Sequence, residues 1–198
     1  MSARRRLFAV DDPEINPYRL LTALVVPRPI AWVSSLSADG VGNLAPHSFF
    51  TVASARPPIV QFTSVGHKDT LRNVRETGEF VINLASRPLM EHVNRSSAPY
   101  DAGVDEASAI GVTMEPSDRV APMRVADSPA SIECRLHSTV DLGESVVVLG
   151  DVVAITVVES ALDGEHPMMS ALEPLSRLGR DEWGLPPEVV HVKRPTRA

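Results

Sequence analysis

The sequence predicts a mainly β protein, built on an antiparallel barrel that is closed or nearly closed, with a few short helices at its periphery. Three observations lead to this prediction. Segments rich in β-branched residues and bounded by Gly, Pro or Asp dominate the chain. Two short turns, at Asp39-Gly40 and over 141–145, join neighbouring segments as hairpins. The 17 prolines, against about ten at average usage, argue against a helical bundle.

The predicted strands are short and separated by turn residues. They are 29–36, 57–64, 79–84, 129–140 and 145–158. Asp39-Gly40 is a strong hairpin signal because Asp and Gly both tolerate the positive φ that a tight two-residue turn requires. The stretch "DLGES" at 141–145 joins the two longest strands as a tight antiparallel pair. No regular alternation of strands and helices suggests a parallel sheet.

Three short helices are predicted between these strands. The first has Asp69 as its N-cap, Leu71 and Val74 on one face, and Gly78 at the position where helices commonly end in a glycine. The other two helices cover 87–97 and 105–111.

Composition indicates a single domain of 198 residues, 43% of them hydrophobic, with a core over about 18–160 and a C-terminal extension over 161–198. A net charge of −6 makes a nucleic-acid partner unexpected. The single cysteine, Cys134, alternates with apolar residues and is predicted to be a core residue on a strand. The basic N-terminus lacks the apolar stretch of a signal peptide, and Gly150-Asp151 interrupt the longest apolar run. We therefore expect no membrane segment and a cytoplasmic location.

Several familiar sites are not supported by the sequence. The stretch "GVGNLA" at 40–45 fits the letters of a dinucleotide-binding motif, but Pro46 follows at once where that motif needs a helix. The six histidines and the lone cysteine show no metal-ligand spacing, so no metal is expected. The sequence also lacks the G-x-S-x-G motif of serine hydrolases.

One candidate site lies along the first hairpin. Ser34 and Ser35 point to opposite faces of a strand, so at least one hydroxyl faces away from the core. In the stretch 45–48, Pro46 is expected to interrupt the β ladder, and small side chains would let a flat ligand approach the backbone closely. A strand end with a β-bulge explains the same residues equally well.

A second candidate site lies at the start of the first predicted helix. The unpaired backbone amides there attract anions, Lys68 adds a positive charge, Thr70 adds a hydroxyl donor, and Gly66 permits a sharp entry. The stretch therefore suits a phosphate group. However, an anionic Asp69 cap would compete for the same amides, and both alternatives remain open on these residues alone.

Taken together, four motifs resemble the flavin reductase-like family of FMN-binding split β-barrels, over roughly Tyr18 to Trp183. They are "RPIAWVSSLSADGVGNLAPHSFF", "PPIVQFTS", "KDTLRNVRETGEFVINL" and "PLSRLGRDEW". The resemblance implies a mainly β, Greek-key split barrel with a few short peripheral helices. It also implies a homodimer that holds flavin in a groove at or near the subunit interface.

The resemblance also implies which residues contact the flavin. Lys68 and Thr70 would hold its phosphate, with Asp69 nearby, and Asn83 would contact its rim. The ring and ribityl chain would be bordered by Ser34, Ser35, Asn43, Ala45, Pro46, His47 and Ser48. The family segment R-L-G-G-x-x-Y corresponds to Arg177, Leu178, Gly179, Arg180 and Trp183, so this chain departs from it at Arg180 and Trp183. That departure puts a close contact from Arg177 in doubt, although the indole of Trp183 can stack on a ring.

The function that the resemblance implies is an FMN-dependent oxidoreductase, with FMN preferred to FAD. NADH or NADPH would deliver a hydride to flavin N5, and oxygen, a partner monooxygenase or another acceptor would take the electrons. His47 is the one titratable side chain expected beside the ring, as a proton donor or as a packing and hydrogen-bonding residue. The alternatives are a non-enzymatic FMN-binding electron carrier or flavin store, and a barrel that binds deazaflavin or haem.

Overall fold

The computed structural model describes residues 3–101 and 103–196, and its main element is a seven-stranded antiparallel sheet. The strand order is β3-β2-β6-β9-β10-β5-β4. These seven strands are β2 Ala31–Leu36, β3 Gly42–His47, β4 Phe50–Ala55, β5 Pro58–Val65, β6 Glu79–Leu84, β9 Ala130–Leu142 and β10 Ser145–Val157. The mainly β antiparallel architecture predicted from the sequence is confirmed.

Short strands and helices surround this sheet. The remaining strands are β1 Arg28–Pro29, β7 Met114–Glu115, β8 Arg124–Val125, β11 Leu162–Asp163, β12 His166–Pro167, β13 Ser176–Arg177 and β14 Trp183–Gly184. The α-helices are α1 Pro17–Leu24, α2 Asp69–Thr77, α3 Met90–Arg95, α4 Glu106–Ile110 and α5 Met169–Leu172. Single 3₁₀ turns lie at Arg87–Leu89 and Glu159–Ala161. No described helix has the length and apolar character needed to cross a membrane.

The sheet curls until its two edges approach each other. Its edge strands β3 and β4 are consecutive in the chain, and the amide of Thr63 on β5 donates to the carbonyl of Phe49 between them at 2.9 Å. Both predicted hairpins form: Gly40 has φ +81° in the β2–β3 turn, and Gly143 has φ +67° in the β9–β10 turn. The turn glycines therefore permit the tight reversals that pair each strand with the next one in the chain.

Two hydrophobic cores lie on opposite faces of the β2 and β3 region. The barrel interior is packed by residues from five strands and α2, chiefly Ala31, Val33, Val60, Phe62, Leu71, Val74, Phe80, Ile82, Cys134, Val146 and Val148. The second core lies between the outer face and the short helices, chiefly Ile30, Trp32, Leu44, Ala85, Leu89, Val93, Ala107, Val125 and Leu175. Alternate residues of β2 thus enter different cores, as a strand buried on both faces requires.

Cys134 is a core residue, as predicted, and is fully buried in the barrel interior. Burial, with Asp151 and Glu133 nearby, raises its pKa to about 12. The thiol is therefore protonated at neutral pH and is chemically inert, because only the thiolate is a strong nucleophile.

The prediction that Pro46 interrupts the β ladder is wrong. Strand β3 continues through Pro46 to His47, and Pro46 is paired with Trp32 on β2. The ladder tolerates the proline because β3 is an edge strand, where one side of the backbone needs no partner.

Candidate cofactor site at the edge of the barrel

The loop from β5 to α2 holds Lys68 at the start of the helix. Gly66 has φ +81°, accepts a hydrogen bond from the Ser64 hydroxyl at 2.8 Å, and donates its amide to the carbonyl of Glu144 at 2.9 Å. This anchoring presents Lys68 as the N-cap residue of α2, with its side chain exposed.

The predicted N-cap role of Asp69 is wrong, because Asp69 is the first residue inside the helix. Its carboxylate accepts from Arg72 Nη1 at 2.7 Å, one turn further along. Among the described residues no side chain caps α2. The first amides of the helix therefore keep their partial positive charge for an external anion, and the competition expected from an Asp69 cap does not occur.

Thr70 is held by a buried polar network behind the helix start. The Asn43 amide donates to Thr70 Oγ1 at 2.9 Å and to Ser35 Oγ at 3.4 Å, and Asn73 donates to Ser35 Oγ at 3.3 Å. Because the Thr70 oxygen accepts from Asn43, its own proton remains available as a donor. Thr70 is only 1% exposed, so this donor is fixed in position.

A cavity of about 380 Å³ opens beside edge strand β3 and the start of α2. It brings together seven of the residues predicted to contact a ligand: Asn43, Ala45, Pro46, His47, Lys68, Asp69 and Thr70. Sequence reasoning missed six others that line it: Ser96, Ser97, Ala98, Pro99, Tyr100 and Glu106. Hydrogen-bond donors lie where α2 begins, and the walls elsewhere are formed largely by small side chains and proline.

His47 is buried in this cavity wall, and only 6% of its surface is exposed. Its ring lies 4.7 Å from the Phe62 ring, centroid to centroid. Burial, together with the charge of Lys68, lowers the pKa of His47 to about 4, although a hydrogen bond with the Thr63 backbone opposes the shift. At neutral pH the imidazole is therefore uncharged, which argues against the proton-donor hypothesis and favours a hydrogen-bonding role.

Glu106 forms part of the cavity wall, with 8% of its surface exposed. Its Oε2 accepts from the backbone amide of Leu44 on β3 at 2.9 Å. The sequence places Glu106 in a short helix but carries no signal that its side chain reaches back to β3. Burial, together with Asp69 and Asp105, raises the pKa of Glu106, and the Leu44 amide opposes that shift.

Replacing Glu106 with glutamine is expected to change how stability depends on pH. The raised pKa of Glu106 means that the folded state disfavours its ionised carboxylate. The charged carboxylate therefore destabilises the folded protein as the pH rises through the pKa that Glu106 has in the unfolded chain. Glutamine keeps an acceptor for Leu44 and removes the charge. We expect Glu106→Gln to be more stable than the wild type at pH 7 by up to about 1 kcal/mol.

Urea unfolding at pH 4, 5.5 and 7 measures this difference, which should shrink towards pH 4. Glu165→Gln is the control, because Glu165 is exposed. A wild type that gains stability over Glu106→Gln as pH rises would show that the carboxylate is favourable where it lies.

The predicted residues Ser34 and Ser48 do not line this cavity, and Ser35 lies behind it in the Thr70 network. Ser34 donates to the carbonyl of Met123 at 2.6 Å. Ser34 and Ser35 instead line a smaller neighbouring cavity of about 140 Å³. Ser48 is half-buried in the connection from β3 to β4.

Asn83 does not lie at a ligand rim as expected, because it is fully buried in the sheet. Its amide donates to the carbonyl of Trp32 at 3.0 Å and to Ser34 Oγ at 3.2 Å. Its Oδ1 accepts from the Val125 amide at 2.8 Å and from Ser131 Oγ at 3.1 Å. With both donors and the acceptor engaged by protein, Asn83 has a structural role.

Arg177 and Trp183 form a separate cluster outside the cavity. They pair across strands β13 and β14, and the Arg177 guanidinium lies 4.8 Å from the centroid of the Trp183 indole. Buried Arg28 donates to the carbonyl of Leu178 at 2.7 Å and so docks this hairpin against the barrel. In this chain the two side chains contact each other, and neither reaches the cavity.

Arg180 stands in this hairpin at φ +54°, a left-handed conformation that favours glycine. This backbone explains why the family pattern has glycine there. The side chain is exposed, so we expect Arg180→Gly to stabilise the protein by about 0.5 to 1 kcal/mol, measured as a higher midpoint of urea unfolding. Arg180→Ala is the control, since it removes the same side chain and keeps Cβ. Equal effects of the two substitutions would contradict a backbone origin.

The comparisons with known proteins agree with this fold. An uncharacterised protein of Deinococcus radiodurans is 39% identical over 179 residues, which are 84% of this chain and 79% of that protein. Nitrilotriacetate monooxygenase component B from Bacillus cereus matches with a TM-score of 0.89 and 27% identity, covering 96% of this chain and all of its own. The 2-nitrobenzoate 2-nitroreductase of Pseudomonas fluorescens matches with a TM-score of 0.87 and 30% identity, covering 96% and 97%.

The family model described as "Flavin reductase like domain" matches residues 23–174. This span contains every main-sheet strand and the whole cavity wall, and the split-barrel fold is the one that the sequence motifs imply. The chain belongs to the flavin reductase-like domain family.

Proposed function

We propose that this protein is an FMN-dependent oxidoreductase that takes a hydride from NADH or NADPH. The observation that supports it best is the grouping of hydrogen-bond donors at one end of the cavity. There Lys68 and Thr70 line the cavity beside the start of α2, whose first amides have no side-chain cap. Such a set of donors suits a terminal phosphate.

The rest of the cavity suits the other parts of FMN. Ala45 and Pro46 are small or flat and leave space against the backbone of edge strand β3. Pro99 and Tyr100 face this space from the loop that follows α3. We propose that the ring and ribityl chain of FMN lie between these two walls. Asn43 and Ser35 contribute indirectly: Asn43 donates to Thr70 and to Ser35, and this network orients the Thr70 hydroxyl.

When bound, FMN would supply the redox chemistry that links a nicotinamide to an electron acceptor. The protein's own residues bind the phosphate, orient the ring and limit the access of water. No side chain of the described residues is assigned as a general acid or base, because neutral His47 has no proton to donate as an imidazolium. This division of labour is usual where a cofactor carries the reaction.

The acceptor is proposed from the relatives. Nitrilotriacetate monooxygenase component B is named as part of a monooxygenase, which supports a partner monooxygenase or oxygen as the acceptor here. The 2-nitrobenzoate 2-nitroreductase is named for reduction of an organic substrate, which supports a small molecule bound in the same cavity as the other possibility. The proposed step from nicotinamide to flavin is the same for either acceptor.

We further propose a homodimer, as the family resemblance implies. Helix α1 supports it, because Tyr18, Leu21 and Leu24 are 59%, 58% and 76% exposed and form an apolar surface that a second subunit would cover. Light scattering after size exclusion tests this proposal, and a monomer at micromolar concentration would refute it.

The experiment that tests the enzyme is anaerobic mixing of the FMN-loaded protein with NADH and, separately, with NADPH. We expect at least one of them to bleach the visible absorbance of the bound flavin. If flavin binds but neither nicotinamide bleaches it, the protein is instead a non-enzymatic FMN-binding electron carrier.

A further inference from the structure

A second cavity lies along the outer side of α2, next to the candidate cofactor site. Its volume is about 410 Å³, which is within the range of cavities that hold small molecules. This cavity, the α2 groove, is lined by His67, Lys68, Leu71, Arg72, Arg75 and Glu76. Lys68 also lines the cofactor cavity, so the two spaces adjoin at the start of the helix.

Positive charge is concentrated in the α2 groove. Lys68, Arg72 and Arg75 are spaced four and three positions apart, so they lie on one face of the helix, over a length of about 10 Å. Against these three cations, the described lining contains one carboxylate, that of Glu76. The whole chain carries a formal net charge of −6, so the groove is a local exception. Its charge favours an anionic ligand.

The two arginines of the α2 groove are held in place and remain accessible. Arg72 donates through Nη1 to Asp69 at 2.7 Å, and Arg75 donates through Nη2 to Asp141 at 2.9 Å. Within the described chain each guanidinium uses only that one nitrogen, and its other N–H groups are available. The side chains of Arg72 and Arg75 are 47% and 35% exposed, so a ligand can reach them. Oriented guanidinium donors suit a phosphate monoester, which they can bind through paired hydrogen bonds.

The position of the α2 groove indicates which phosphate it suits. The phosphate of FMN lies far from the flavin ring, and the adenosine end of a dinucleotide lies far from its nicotinamide. If the nicotinamide meets the flavin ring in the cofactor cavity, the adenosine end can therefore lie near the flavin phosphate. The groove adjoins that point at Lys68. Of the two nicotinamide dinucleotides, only NADPH carries a phosphate monoester on its adenosine.

We propose that the α2 groove binds the 2′-phosphate of NADPH, and that the protein therefore prefers NADPH to NADH. The inference rests on the proposed function and names its reductant. Arg72 and Arg75 are the specificity-determining residues, because their guanidinium groups contact the phosphate that NADH lacks. Lys68 stays with the phosphate of FMN and separates the two anions.

Two adenosine nucleotides test the α2 groove without any reaction. Adenosine 2′,5′-bisphosphate and 5′-AMP differ only in the 2′-phosphate, and isothermal titration of the FMN-loaded protein compares their affinities. The wild type should prefer the bisphosphate by at least about 10-fold, the scale of a charge-assisted hydrogen bond. Arg72→Ala and Arg75→Ala should each reduce this preference by about 3- to 10-fold. The ratio of kcat/KM for NADPH to that for NADH should fall in the same variants.

Arg135→Ala is the matched control, because Arg135 is also an exposed arginine in an ion pair, with Glu79 at 3.3 Å. Arg135 lies on β9 and is not part of the groove lining. Its replacement should keep the wild-type preference for the bisphosphate.

The inference is overturned if the wild type binds the two nucleotides equally, or if Arg72→Ala and Arg75→Ala both keep its preference. Failure of the proposed function is a different result, because neither nicotinamide would then bleach the FMN-loaded protein. The nucleotide titration would still decide for or against the phosphate site in the α2 groove.

Discussion

Replacing Lys68 with alanine will weaken FMN binding by about 1.5 to 3 kcal/mol, which is roughly 10- to 150-fold in Kd. Lys68 places a full positive charge at the start of α2. The neighbouring carboxylate of Asp69 does not neutralise it, because Asp69 pairs with Arg72. The helix amides and the Thr70 hydroxyl remain in the variant, so binding is weakened and not abolished. Isothermal titration of the apo protein with FMN measures the difference.

Arg75→Ala is the control for a general loss of positive charge on α2. Arg75 lies in the last turn of the same helix and pairs with Asp141 at 2.9 Å, away from the cavity. It should leave the Kd for FMN within about twofold of the wild type, because exposed ion pairs contribute little. If Lys68→Ala folds and its affinity for FMN at moderate salt is unchanged, Lys68 does not bind the phosphate.

The largest effect on stability is expected from Asn83→Ala, at about 2 to 4 kcal/mol of destabilisation. The substitution leaves the Val125 amide and the Ser131 hydroxyl without their acceptor, in a region where Asn83 itself is fully buried. It also opens a small cavity between β6 and β8. Chemical denaturation, followed by circular dichroism and tryptophan fluorescence, gives the free energy of unfolding.

Asn94→Ala is the matched control, since Asn94 is an exposed asparagine on α3, and it should change stability by less than about 0.5 kcal/mol. The same Asn83→Ala protein, titrated with FMN while folded, should bind with nearly wild-type affinity. A large loss of FMN affinity with unchanged stability would show that Asn83 contacts the ligand and would contradict its structural role.

Much of the fold is predictable from local patterns. The predicted strand at 79–84 has the observed bounds, and the helix predicted to end before Gly78 does so, with Gly78 at φ +75°. These features depend on residues that are close in sequence. Pro46 was misjudged because tolerance of proline depends on which strand lies at the sheet edge, a property of the whole topology.

The candidate site was only partly predictable for the same reason. Lys68, Thr70 and Asn43 come together because the β3 motif and the motif at the start of α2 meet at one edge of the barrel. Glu106 was missed, since its contact with Leu44 joins residues 62 positions apart without any local signature. The family resemblance puts Asn83 at a ligand rim, but a motif does not distinguish a polar side chain that faces a ligand from one that links buried strands.

Titration of the purified apo protein with FMN and with FAD tests most directly whether the cavity between β3 and α2 binds FMN. We expect one FMN per chain. We also expect weaker binding of FAD, because the donors around Lys68 suit a terminal phosphate monoester and the FAD diphosphate has none. Any chromophore released from the protein as purified should be FMN. A colourless protein with no affinity for either flavin would contradict the account.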